Sequence, residues 1–97
     1  SLDPVISSIF EQDPFFDKPK KDIFKGSDTS LINNGIVFVV RDAWSSLTVS
    51  QKQLITEKLL EDLEIFAYSE IKIFDEQGIL AARKSRLGEG MILFEQR

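Results

Sequence analysis

Five consecutive apolar residues, Ile36-Val37-Phe38-Val39-Val40, precede a long amphipathic segment from Thr48 to about Phe66, and Ile71-Lys72-Ile73-Phe74 follows it. This order of strand, helix and strand constrains the chain more than any other feature. Four of the five residues in the first run are β-branched, which suits a strand covered on both faces better than one with a wet side. Two strands of one sheet joined by a helix are expected to run parallel with a right-handed crossover. At about 100° per residue, Ile55, Leu59, Leu63 and Phe66 fall within about 80° of one another, with Leu60 and Ala67 on one flank, so this stripe is predicted to lie on the sheet. Thr48-x-x-Gln51 and Ser50-x-x-Gln53 both fit a capping box at the helix start.

After the second strand, Glu76-Gln77-Gly78 forms a short connection with glycine where a left-handed residue is wanted. Ile79 to Leu87 is predicted to return as an antiparallel strand, and Gly88-Glu89-Gly90 to turn into a last strand, Met91 to Phe94. Ahead of the central run, Asn33-Asn34-Gly35 is a turn signal of type I′, which would let Leu31 and Ile32 pair with Ile36 and Val37. Asp3-Pro4 opens a short helix over about 4–11, with Asp as N-cap and Pro at the first helical position. Asp13-Pro14 leads a turn carrying Phe15 and Phe16. Pro19 to Phe24 reads as one more helical turn closed by Gly26, with Ile23 and Phe24 inward, and Ser27 to Ser30 as loop.

The fold class is therefore α+β: a β-α-β unit followed by a two-strand antiparallel extension, a mixed sheet with one long helix packed on it, and short N-terminal helical segments. Residues 1–97 are expected to form one domain, with 1–30 helical or irregular and 31–97 the sheet-and-helix core. A chain of 97 residues with 42% hydrophobic and 29% charged content can bury a single core. It begins with Ser1 rather than Met, which fits processing or excision from a larger protein.

The formal charge of −4 argues against a reader of nucleic-acid backbone, whose affinity comes from clustered Lys and Arg. Cysteine and histidine are both absent, which excludes disulfides, thiolate and imidazole catalysis, and Cys or His metal sites. The redox compartment is left open, with the cytoplasm slightly favoured. Five residues is the longest apolar run, against about 20 needed to cross a bilayer, so no membrane insertion is expected.

Four groups of residues carry chemistry of interest. Asp42, Asp75 and Glu76 would share one sheet edge if the two strands are parallel, and could hold Mg²⁺, although turns favour the same residues without a ligand. Glu57, Glu61 and Glu64 form an i, i+4, i+7 stripe, with like charges toward the helix end where the macrodipole prefers cations. Something basic would offset them: Arg83, Lys84 and Arg86 of the same chain, or a partner. Strand alternation places Lys84 and Arg86 on one face and Arg83 on the other. The aromatics Phe10, Phe15, Phe16, Phe24 and Trp44 either plug the core or form a docking patch.

These features favour a non-catalytic protein-interaction or regulatory module without a cofactor, acting on a protein partner or as a homo-oligomer. Its contact surface is expected to comprise Phe15, Phe16, Trp44, Glu57, Glu61, Glu64, Lys84 and Arg86. The edge from Met91 to Phe94 could add a strand from another chain. Two alternatives remain: a winged-helix-like module, protein-binding rather than DNA-binding, and a small carboxylate-based Mg-binding domain.

Overall fold

In the computed structural model, which describes residues 22–30 and 33–94, the sheet has five strands in the order β1-β2-β3-β4-β5. These are β1 (Phe24–Ser30), β2 (Gly35–Val40), β3 (Glu70–Phe74), β4 (Leu80–Lys84) and β5 (Met91–Leu93). β2 and β3 pair in parallel, with Ile36 beside Ile71 and Phe38 beside Ile73, and every other neighbouring pair is antiparallel. The helix α1 (Val49–Leu63) makes the crossover between them, so the β-α-β unit and its antiparallel extension are both present. The short N-terminal helix, Phe10, Phe15 and Phe16 lie outside the described residues.

β2 alternates rather than being covered equally on its two faces. Ile36, Phe38 and Val40 are buried, whereas Val37 and Val39 are half-buried. The difference follows from having one long helix, because α1 lies against one side and lays Ile55, Leu59 and Leu63 into a core with Ile71, Ile73 and Ala82. Burying such a Leu or Ile side chain is worth about 1.5–3 kcal/mol, so this stripe is a principal source of stability. α1 starts as the capping motif requires: the Thr48 hydroxyl accepts from Gln51 N at 3.1 Å, and the Gln51 side chain accepts from Thr48 N at 2.9 Å.

The helix stripe ends one residue early. Glu64–Phe66 tightens into a 3-10 turn and Ala67 takes φ 52°, a left-handed conformation usually given to glycine. The tighter winding carries Phe66 off the buried face, leaving it 47% exposed. Thr56, which periodicity had not singled out, is buried instead, its hydroxyl donating to the Gln53 carbonyl.

The largest departure from expectation is β1. Asp22 and Ile23 are helical, as read, but Phe24 to Ser30, read as the end of that turn and a loop, is an edge strand paired with Val40 back to Gly35. Its polar sequence hides it, because an edge strand has only one neighbour to satisfy. Phe24 anchors it, fully buried with its ring 5.7 Å from Phe38, and Ile23 is buried as expected. Ile36 and Val37 thus face Thr29 and Asp28 rather than Ile32 and Leu31. A bulge between Phe24 and Gly26, with Lys25 inside it, blunts this edge.

The Asn-Asn-Gly signal also works differently. Asn34 takes positive φ, 48°, but Gly35 does not, so the turn is not type I′. Glycine at 35 avoids crowding, because a Cβ there would stand 3.3 Å from Glu70 Cβ and carbonyl oxygen on β3. Asn34 also ties this end of the sheet to the helix exit: its side-chain amide donates to the Ala67 carbonyl at 2.9 Å, and its own carbonyl accepts from Ser69 N.

Candidate functional site

An open cleft of about 520 Å³ runs between the C-terminal half of α1, the Ala67-Tyr68 connection and the β4–β5 turn. Its apolar base is formed by Leu60, Leu63, Ile71 and Tyr68, with Ala67 at its exposed end, and the exposed Glu57, Glu61, Glu64 and Glu89 make up its rim. The three helix glutamates share a side because residues four and three apart stack on one face, and they extend over about 10 Å. Glu89 comes from the opposite wall. The turn that holds it is fixed by Ser85, whose backbone N donates to the Gly90 carbonyl at 3.0 Å and whose hydroxyl accepts from Gly88 N at 3.2 Å. Gly90 permits this turn by adopting φ 91°.

Among the described residues Lys84 is the only cation lining the cleft, so four carboxylates face one ammonium. It sits half-buried and donates from Nζ to the Tyr68 carbonyl at 3.3 Å. Among the described residues none of the four glutamates is in an ion pair; the pairs that occur are Lys25–Glu76, Lys58–Asp62 and Lys72–Glu70. The cleft is therefore formally negative with a greasy base. That combination suits a ligand with both cationic and apolar groups.

The other sequence candidates are placed as follows. Trp44 is 1% exposed, carried into the core by the 3-10 turn Asp42–Ser46, and so belongs to packing rather than to a contact surface; Lys52 Nζ stands 5.4 Å from its ring centroid. Arg86 lies beyond the end of β4 in the following turn, where strand alternation no longer applies. Together with Lys72, Arg83 and Lys84 it edges a shallow depression beside Ser69. Phe15 and Phe16 are outside the described residues.

Asp42 and Asp75-Glu76 follow the C-terminal ends of the parallel neighbours β2 and β3, at the sheet edge anticipated for them. Asp75 and Glu76 are put to local use. The Asp75 carboxylate accepts from Gln77 N and Ile79 N, both at 2.9 Å, and Glu76 faces Lys25 at 3.9 Å. Among the described residues no three carboxylates gather as a metal-binding group.

Sequence reasoning found the helix glutamates and Lys84 but missed Glu89, Tyr68 and Leu60 as parts of one surface. Glu89 lies between two glycines, a local sign of a tight turn, yet only the fold shows the turn bending toward α1. Among the described residues no helix is long and apolar enough to cross a membrane. No family model matches the chain, and neither a curated protein nor a solved structure matches it significantly.

Proposed function

We propose that this chain is a non-catalytic protein-interaction module that takes a basic, partly apolar segment of a partner in the α1 cleft. One observation carries the reading: a cleft of about 520 Å³ with an apolar floor and four glutamates, none of them in an ion pair among the described residues. The apolar floor supplies affinity through burial, while the charged rim selects a cationic partner and speeds its approach. The winged-helix reading is weaker, because α1 spends Ile55, Leu59 and Leu63 on the sheet and would present glutamates to a phosphate backbone. A Mg²⁺ site at Asp42 and Asp75 is weaker too, since the Asp75 carboxylate is already engaged by two backbone N–H groups.

The test is fluorescence anisotropy with a labelled octapeptide of alternating Lys and Val. Saturable binding at low salt is expected to weaken as ionic strength rises and the Debye length shortens from about 30 Å at 0.01 M to about 8 Å at 0.15 M. Substituting Glu57→Gln, Glu61→Gln and Glu64→Gln together should weaken it by about tenfold or more, as loss of several rim charges implies. An Asp42→Asn control should leave it unchanged. Absence of binding, or equal binding by the triple variant, would overturn the proposal.

A further inference from the structure

The cleft wall continues directly into an open sheet edge. Gly88, Glu89 and Gly90 line the cleft, and Met91–Leu93 follow as β5, which among the described residues pairs only with β4 and over which α1 packs. The direction of β5's hydrogen bonds can be read from its ends. Ser85 N donates to the Gly90 carbonyl and Phe94 N donates to the Ala81 carbonyl, with Arg83 and Ile92 paired midway between these sites. Successive residues of a strand direct their backbone groups to opposite sides, so Gly90, Ile92 and Phe94 face β4 and Met91 and Leu93 face outward. By this register the Met91 and Leu93 backbones make no hydrogen bond to β4, and among the described residues no bond from outside the strands reaches them.

The two edges of the sheet are defended differently. β1 has a bulge with Lys25 inside it, and Asp28 further along. β5 and the residue after it read Met91-Ile92-Leu93-Phe94, with no charge, no proline and no bulge, and Ile92 and Phe94 are 37% and 36% exposed. An apolar edge of this kind is a template for another strand. We infer that the partner segment binds as a sixth strand on β5, pairing with Met91 and Leu93 and running alongside the cleft with its basic side chains toward the glutamate rim. This rests on the cleft reading above and adds the mode of recognition.

Charge decides between a basic segment and a second copy of the chain. Isologous pairing of two β5 edges would bring two rims of four glutamates together in molecules of formal charge −4 each. A basic strand meets the same rim with attraction.

Three forms of the Lys-Val octapeptide separate the possibilities: unmodified, N-methylated at every Val amide, and N-methylated at every Lys amide. The last two have the same composition and charge, and neither alters the protein. Strand addition predicts that one methylated form loses about tenfold or more in affinity while the other keeps most of it, because a strand turns alternate amides to its neighbour and two lost backbone hydrogen bonds amount to about that factor. Equal binding by all three, or equal loss in both methylated forms, would overturn strand addition while leaving the cleft as the binding surface. Failure of the unmodified peptide to bind would overturn both.

Discussion

Replacing Gly35 by alanine probes the parallel β2–β3 pair at its most crowded point, and two opposing terms set the sign. Gly35 lies opposite Glu70, and an added Cβ would stand 3.3 Å from both Glu70 Cβ and its carbonyl oxygen. The backbone at Gly35 does not have positive φ, so alanine can adopt it and gains about 0.4–1 kcal/mol from the reduced freedom of the unfolded chain. Against this stands the crowding of a buried position against a strand held in place by its own pairing, with overpacking typically costing about 1–3 kcal/mol. Crowding wins, for a net loss of about 1 kcal/mol and a fall in Tm of about 4–8 °C in a domain of this size. Gly26→Ala is the matched control, since a Cβ there meets nothing within 4 Å and its φ is also not positive; it should be neutral or slightly stabilising. Urea unfolding followed by the fluorescence of the single, buried Trp44 would give both midpoints. A Gly35→Ala variant as stable as Gly26→Ala would refute the close approach of Glu70 and with it the β2–β3 register.

Three further substitutions test local features. Ala67→Gly should raise stability by about 0.5–1 kcal/mol in the same assay, because it relieves a left-handed alanine at φ 52°. Thr48→Ala removes the hydroxyl that accepts from Gln51 N and should cost about 1 kcal/mol, with the loss visible in thermal unfolding followed by far-UV circular dichroism. Asp75→Ala deletes an acceptor for two backbone N–H groups of the β3–β4 turn and should cost about 1–3 kcal/mol. That loss of Tm should be the same with and without Mg²⁺; a Mg²⁺-dependent stabilisation of the parent chain that disappears in Asp75→Ala would instead revive the metal reading.

The elements that could be read from sequence are those where one physical signal dominates. The apolar run at Ile36–Val40, the Thr48 capping box and the Ile55-Leu59-Leu63 stripe each carry a period or a cap that the fold then uses. β1 could not be read this way, because Lys25 to Ser30 has neither alternation nor β-branched density and becomes strand only by pairing with β2. Phe66 kept the helical period in sequence but left the core, since a 3-10 turn rotates each residue further than the α-helix does. Trp44 gave no sign of its side, as a loop aromatic can be a lid or an anchor. At the cleft, Glu57, Glu61 and Glu64 were visible as a stripe, while Glu89 and Tyr68 required knowing that the β4–β5 turn and the helix exit converge.

The charge pattern of α1 runs against what its own stability would select. Its first turn holds no acidic residue and its last turn no basic one, while Glu57, Glu61 and Glu64 gather toward the end where the macrodipole is negative. Among the described residues the nearby cations do not correct this: Lys58 pairs with Asp62, Lys52 lies over Trp44, and Lys84 donates to the Tyr68 carbonyl. Departures from local rules tend to concentrate where a chain does something other than fold. A solvated face would have tolerated the same charges anywhere along the helix, whereas here they frame the apolar floor of the cleft and stand beside the undefended β5 edge. A cationic strand seated there would relieve the repulsion among the glutamates, cover Leu60 and Tyr68, and complete the hydrogen bonding of Met91 and Leu93 in one event.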